Sequence, residues 1–202
     1  MSGLAACWHL DGSPLSPAVL AAMVGAVPHR GPDGVSQWVD GTIGLGHCLL
    51  ATTPESIGEH QPLIDGSLAL VFDGRLDNRA ELLRRLQPDP LLGRPTITDA
   101  SLVAAAYRRW NTAVAEHLLG DFSFVLWDGD ARRVVCGRDP FGMKPLYYFH
   151  STTRFFAGSE PRQLLATGAV PDRPNLGMVA EHLACRVTHP RETLFEGIYS
   201  CL

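Results

Sequence analysis

This sequence has no long apolar run. Its most continuous one, residues 18–27, falls well short of the roughly 18 residues that a membrane-spanning helix needs, so no membrane partner is expected. Positive charge is scarce: 17 basic side chains against 21 acidic ones leave a net charge of -4, which gives no footprint for nucleic acid or anionic lipid. Nothing before Arg30 is basic, so the apolar stretch does not read as an export signal. Paired cysteine spacing is missing too, because Cys7, Cys48, Cys136, Cys185 and Cys201 include no CxxC. An odd set of free thiols is expected in a reducing, cytoplasmic setting. A glycine-rich phosphate-binding loop is absent, so the chain is not expected to carry out ATP chemistry itself. No second ligand at metal spacing accompanies His29 or His47; both read as structural histidines, and no metal or other cofactor is expected in this chain.

What is present is a chain of 202 residues, room for one domain with a sizeable core. Residues 3–10 read as a strand that would draw the N-terminus into the fold. Ser16-Pro17 opens a helix over 17–26. A hairpin turning at Asp40-Gly41 joins residues 37–39 to 43–51. Residues 68–72 form a short strand ending at Asp73-Gly74. Helices are predicted over 78–86 and 99–110, the second capped by Thr98 or Asp99, with Arg84-Arg85 and Arg108-Arg109 on their solvated faces. Residues 122–127 and 134–138 flank Asp128-Gly129-Asp130, a strong hairpin signal, and 146–149 with 154–157 supply a second strand pair. Short helices over 161–166 and 176–184 complete an α+β pattern of antiparallel sheet packed on helices.

One set of motifs runs through nearly the whole chain: Ser2-Gly3-Leu4-Ala5, His29-Arg30-Gly31-Pro32-Asp33, Leu45-Gly46-His47, Gln61-Pro62, Asp73-Gly74, Thr98-Asp99, Gly120-Asp121-Phe122-Ser123-Phe124, Arg138-Asp139-Pro140-Phe141-Gly142-Met143-Lys144-Pro145-Leu146-Tyr147-Tyr148 and Gly158-Ser159-Glu160. In order and spacing they resemble the N-terminal glutaminase domain of asparagine synthetases. The resemblance implies a class-II glutamine amidotransferase domain over residues 1–190. It implies the N-terminal-nucleophile hydrolase fold, a four-layer αββα sandwich with antiparallel sheets. Residues 191–202 would then begin a linker to a synthetase domain absent here, and ATP and Mg would belong to that domain alone. In such enzymes removal of the initiator methionine exposes a cysteine, whose thiol attacks the glutamine amide while its own α-amine serves as the base.

Three positions depart from the family pattern. Ser2 stands at the nucleophile position, and a hydroxyl is far less nucleophilic than a thiol that is partly ionised near neutral pH. Leu49 replaces the arginine that holds the α-carboxylate of glutamine; losing such a charged partner costs about 2–5 kcal/mol, so glutamine is expected to bind poorly. Asp73-Gly74-Arg75 replaces Asn-Gly-Glu, which puts a carboxylate where an oxyanion donor worth about a hundred- to thousandfold in rate should be, and leaves the Gly74 N–H. Asp99 matches the aspartate that receives the α-amino group, its plainer reading being a helix cap. Ser2 can equally be an ordinary second residue, and Asp73-Gly74 a strand-ending turn.

The expected function is therefore a glutaminase-like domain of an ATP-dependent, asparagine-synthetase-related amide-forming enzyme. Its amidase site would be degenerate, as in β-lactam synthetases and lasso-peptide cyclases, and its role structural or docking. The alternative is an active amidase that uses Ser2 and supplies ammonia. Tyr147, Tyr148, Leu194, Phe195 and Ile198 are expected to form the docking face, which would drive homo-oligomerisation when uncovered.

Overall fold

The computed structural model describes residues 1–52, 59–93 and 96–202. Its elements in chain order are β1 (Gly3–His9), α1 (Pro17–Gly25), β2 (Gly34–Asp40), β3 (Ile43–Leu49), β4 (Leu63–Asp65), β5 (Leu68–Leu76), α2 (Arg79–Leu86), α3 (Asp99–Trp110), β6 (Gly120–Asp128), β7 (Arg133–Arg138), β8 (Tyr147–His150), β9 (Arg154–Gly158), α4 (Pro161–Leu165), α5 (Leu176–Leu183) and β10 (Tyr199–Ser200). The strands form two sheets, ordered β10-β8-β9-β1-β3-β2 and β4-β5-β6-β7. Every pairing between them is antiparallel.

Alternation along the strands sorts the side chains into three apolar layers. Ala5 and Cys7 of β1 pack under Leu20, Met23 and Val24 of α1. Leu4 and Ala6, of opposite parity, meet Val71 of β5 and Val125 of β6 between the sheets. Leu70, Phe72 and Phe124 turn outward onto Leu82 of α2 and Leu102 of α3. Three interfaces separate four layers, so helix, sheet, sheet, helix follows from the parity of each strand.

Local chemistry explains most of the element boundaries. Thr98 caps α3, its hydroxyl accepting from the Ser101 N–H at 3.2 Å; Asp99 is the first helical residue and not the cap. Strand β5 does not end at Asp73-Gly74 as expected but runs to Leu76. Gly74 has φ +151°, and a Cβ there would lie 2.1 Å from the Asp121 carbonyl oxygen, so the glycine serves a close crossing of β6 and not a turn. The short edge strands β4 and β10 were not predicted, and the second lies within residues 191–202, where Cys201 N–H also bonds the Leu146 carbonyl at 2.8 Å. Arg108, expected on a solvated face, is tied to Asp65 and to Asp89, and Arg85 lies over the Trp110 ring.

The expected docking face is largely covered. Ile198 is buried in the core under α1, Tyr147 and Phe195 pack against that core, and Tyr148 stacks on Phe155 and Tyr199; these residues fold back onto their own sheet. Leu194 alone of the five is exposed, and the most open apolar side chains are Phe141 at 90% and Leu183 at 79%. Among the described residues no helix is long and apolar enough to cross a membrane.

Candidate functional site

The apolar layer between the sheets turns polar at one end. Register pairs Leu4 with His47 across β1 and β3, and parity places Ser2, His47 and Leu49 on the face that Leu4 and Leu45 occupy deeper in. From the opposite sheet, Asp73 and its partner Ser123 continue the row of Val71 and Val125. A cavity of about 40 Å³ opens there, walled by Ser2, His47, Leu49, Leu50, Glu59, Gln61, Asp73, Gly74 and Lys144. Four of the five residues singled out in the sequence, Ser2, Leu49, Asp73 and Gly74, line it.

The N-terminus is fixed by contacts that explain several of the sequence motifs. Ser2 Oγ accepts from the Leu50 N–H at 3.0 Å and donates to the Leu50 carbonyl at 3.3 Å. Buried Arg30 donates to the Ser2 carbonyl at 3.1 Å and to Glu160 at 2.6 Å, and His29 reaches the same Glu160 oxygen at 2.7 Å. Ser159 Oγ accepts from the Leu4 N–H, and the Gln163 amide donates to the Leu4 carbonyl. The His-Arg and Gly-Ser-Glu motifs thus meet beneath β1. Gln61 holds the other wall: its Nε2 donates to the Phe72 carbonyl at 3.0 Å while its Oε1 accepts from the Phe72 N–H at 2.6 Å.

The electrostatics centre on Asp73. Lys144 Nζ donates to Asp73 Oδ1 at 3.0 Å, with both side chains mostly shielded from water. Burial raises the Asp73 carboxyl above its ordinary range, against the pull of the Lys144 ammonium, the chain's α-ammonium and Arg30. Lys144 is delivered by the loop after β7, whose shape Asp139 sets by accepting from the N–H groups of Phe141, Met143 and Lys144. The ion pair was not foreseen, although the motif containing Lys144 was; its partner became visible only when the two sheets were brought together.

Asp99 does not line the cavity. Its carboxylate is paired with Arg79 and accepts from the Leu76 N–H at 2.9 Å, so it joins α3 to α2 and β5. Arg75 turns away to Asp77 and Asp121. Glu59, which sequence reading missed, lines the cavity instead. Burial raises its carboxyl, opposed by the side chains of Gln61 and Thr98, the Ala100 N–H and Arg79. His47 is pushed down to about 4, chiefly by burial, with the Phe72 carbonyl opposing, and is therefore neutral at neutral pH. Two polar atoms of wall residues, Glu59 Oε1 and His47 Nε2, are buried without a hydrogen-bond partner, a state that costs roughly 1–3 kcal/mol apiece. Cys7 and Cys48 do not face the cavity: they lie on the α1 side of the sheet, pushed by burial up to about 12 and about 11.

A family model described as a glutamine amidotransferase domain matches residues 1–202. A putative glutamine-hydrolyzing asparagine synthetase of Mycobacterium tuberculosis is 36% identical over 148 residues, 68% of this chain and 22% of that protein. Amidase chyE of Penicillium rubens is 32% identical over 149 residues, 72% of this chain and 22% of that protein. Among solved structures, a glutamine phosphoribosylpyrophosphate amidotransferase from B. subtilis superposes with a TM-score of 0.65 at 20% identity, covering 82% of this chain and 43% of that one. That likeness establishes the fold, the layered N-terminal-nucleophile arrangement of two antiparallel sheets between helices. The chain spans less than a quarter of the length of the two curated relatives.

Proposed function

We propose, from the premise that this chain belongs to the family of glutamine amidotransferase domains, that it is a glutaminase-type domain that does not hydrolyse glutamine and acts as the docking half of a larger amide-forming enzyme. The observation that carries the reading is the Asp73–Lys144 pair set opposite Leu49. Glutamine needs a cation for its α-carboxylate and a donor for the oxyanion formed on attack. Leu49 supplies no cation, and Asp73, when ionised, supplies no donor and consumes the nearest ammonium. Asp73 also bears on the base. With the initiator methionine removed, the α-amine of Ser2 must be neutral to take the proton of the attacking hydroxyl, and a neighbouring carboxylate favours its protonated form.

The length of the relatives, one of them named an asparagine synthetase, supports a role beside a synthetase half. The test is ammonia release from glutamine by the protein with Ser2 at its N-terminus, read against Ser2→Ala; turnover within about tenfold of a cysteine-bearing family member would overturn the reading. A second reading, an amidase in which Ser2 attacks an amide lacking an α-carboxylate, is favoured by the placement of Ser2 on the cavity wall and by the relative named an amidase. In that case Ser2→Ala abolishes hydrolysis of such an amide and leaves glutamine untouched.

A further inference from the structure

We propose that the cavity beside Ser2 receives the ammonium group of a ligand without an adjacent carboxylate, an ω-amino carboxamide and not an α-amino acid, with Glu59 as the receiving group. The inference rests on the reading that the site no longer suits glutamine. Its ground is a pair of orphan polar atoms. Glu59 Oε1 and His47 Nε2 are both buried without a hydrogen-bond partner, on residues that wall one cavity; an ionised carboxylate oxygen can only accept, so it calls for a donor. An ammonium offers three N–H groups and a carboxylate none.

The rest of the wall selects in the same direction. Gln61, Thr98, the Ala100 N–H and Arg79 lie near enough to Glu59 to favour its charged form. Asp99, at the position where the family pattern receives the α-amino group, is engaged elsewhere by Arg79. Leu49 and Leu50 offer nothing to a carboxylate. The cavity, about 40 Å³ with Met1 and Ser2 both on its wall, suits one compact head group.

The probe is 4-aminobutanamide, which is glutamine without its α-carboxylate. Titration calorimetry on the whole chain should show 4-aminobutanamide binding at least tenfold more tightly than either glutamine or butanamide, which lacks the amine. Glu59→Gln should reduce it to the level of butanamide with an unchanged circular dichroism spectrum. Leu49→Arg, which leaves Glu59 in place, should reverse the order of glutamine and 4-aminobutanamide. Binding of 4-aminobutanamide no tighter than butanamide, unchanged binding in Glu59→Gln, or an unchanged order in Leu49→Arg would each overturn this inference and leave the loss of glutamine hydrolysis standing. Tight binding of glutamine to the unaltered chain would instead overturn the underlying reading.

Discussion

At the scale of single residues, the proposed loss of glutamine hydrolysis rests on a set of coupled changes, not one missing atom. Ser2→Cys repairs the attacking atom but leaves Leu49 and the Asp73–Lys144 pair in place. It should therefore give no detectable glutamine hydrolysis, whereas Ser2→Cys with Leu49→Arg and Asp73→Asn should recover at least a hundredfold more, roughly the worth of one oxyanion donor; equal rates for the single and triple variants in an ammonia assay would show that only the nucleophile was defective. His47 gives a second prediction. Its folded pKa of about 4 lies below the ordinary 6.5, so between those values the unfolded chain takes up a proton that the folded chain refuses. Stability conferred by neutral His47 is complete above pH 6.5 and is lost as pH falls towards 4, by about 3 kcal/mol in all. The raised carboxyls of Asp73 and Glu59 act with the opposite sign, because the folded chain binds their protons first. Urea unfolding at pH 7, 5.5 and 4.5 should show a wild-type slope steeper than that of His47→Gln by nearly one proton; parallel slopes would mean that His47 titrates normally.

At the scale of elements, β5 and its crossing of β6 set the site's geometry, and Gly74 and Gly120 are where the two backbones approach most closely. Gly74→Ala should lower the unfolding free energy by about 2–4 kcal/mol, since the new methyl meets backbone and the φ is one that alanine resists. Gly12→Ala, at φ +80° with open space around it, should cost only about 1 kcal/mol, and equal losses in urea titrations would contradict the close-approach argument. The same strand shows how far the sequence was legible. The apolar residues of β5 announced a strand, and the Asp128-Gly129-Asp130 turn announced the β6–β7 hairpin, because both signals are local. The extension to Leu76 was hidden because Asp-Gly is also a turn signal, and only a neighbouring strand decides which meaning holds. For the site, Ser2, Leu49, Asp73 and Gly74 were readable by their place in motifs. Glu59 went unnoticed and Asp99 does not line the cavity, because which carboxylate faces it depends on Arg79 and the α3 terminus, partners distant in sequence.

At the scale of the whole molecule, the open apolar side chains lie elsewhere than expected, on α5 and on the loop that delivers Lys144. If that surface is the docking face, light scattering of the purified chain should show association that rises with concentration, reduced by Leu183→Glu and suppressed by a separately expressed synthetase domain. A concentration-independent monomer that ignores that domain would remove the docking role. A different consequence follows from the place of β1 in its sheet. Strand β1 lies between β3 and β9, and its second neighbour, residues 154–158, is made some 145 residues after β1 is complete. Loop closure over such a separation is slow, and an unpaired strand edge invites wrong partners meanwhile. Translation therefore leaves half of β1's backbone groups waiting until residues 154–158 exist, so a ribosome-bound chain halted before residue 154 should remain open to protease along the β1 segment.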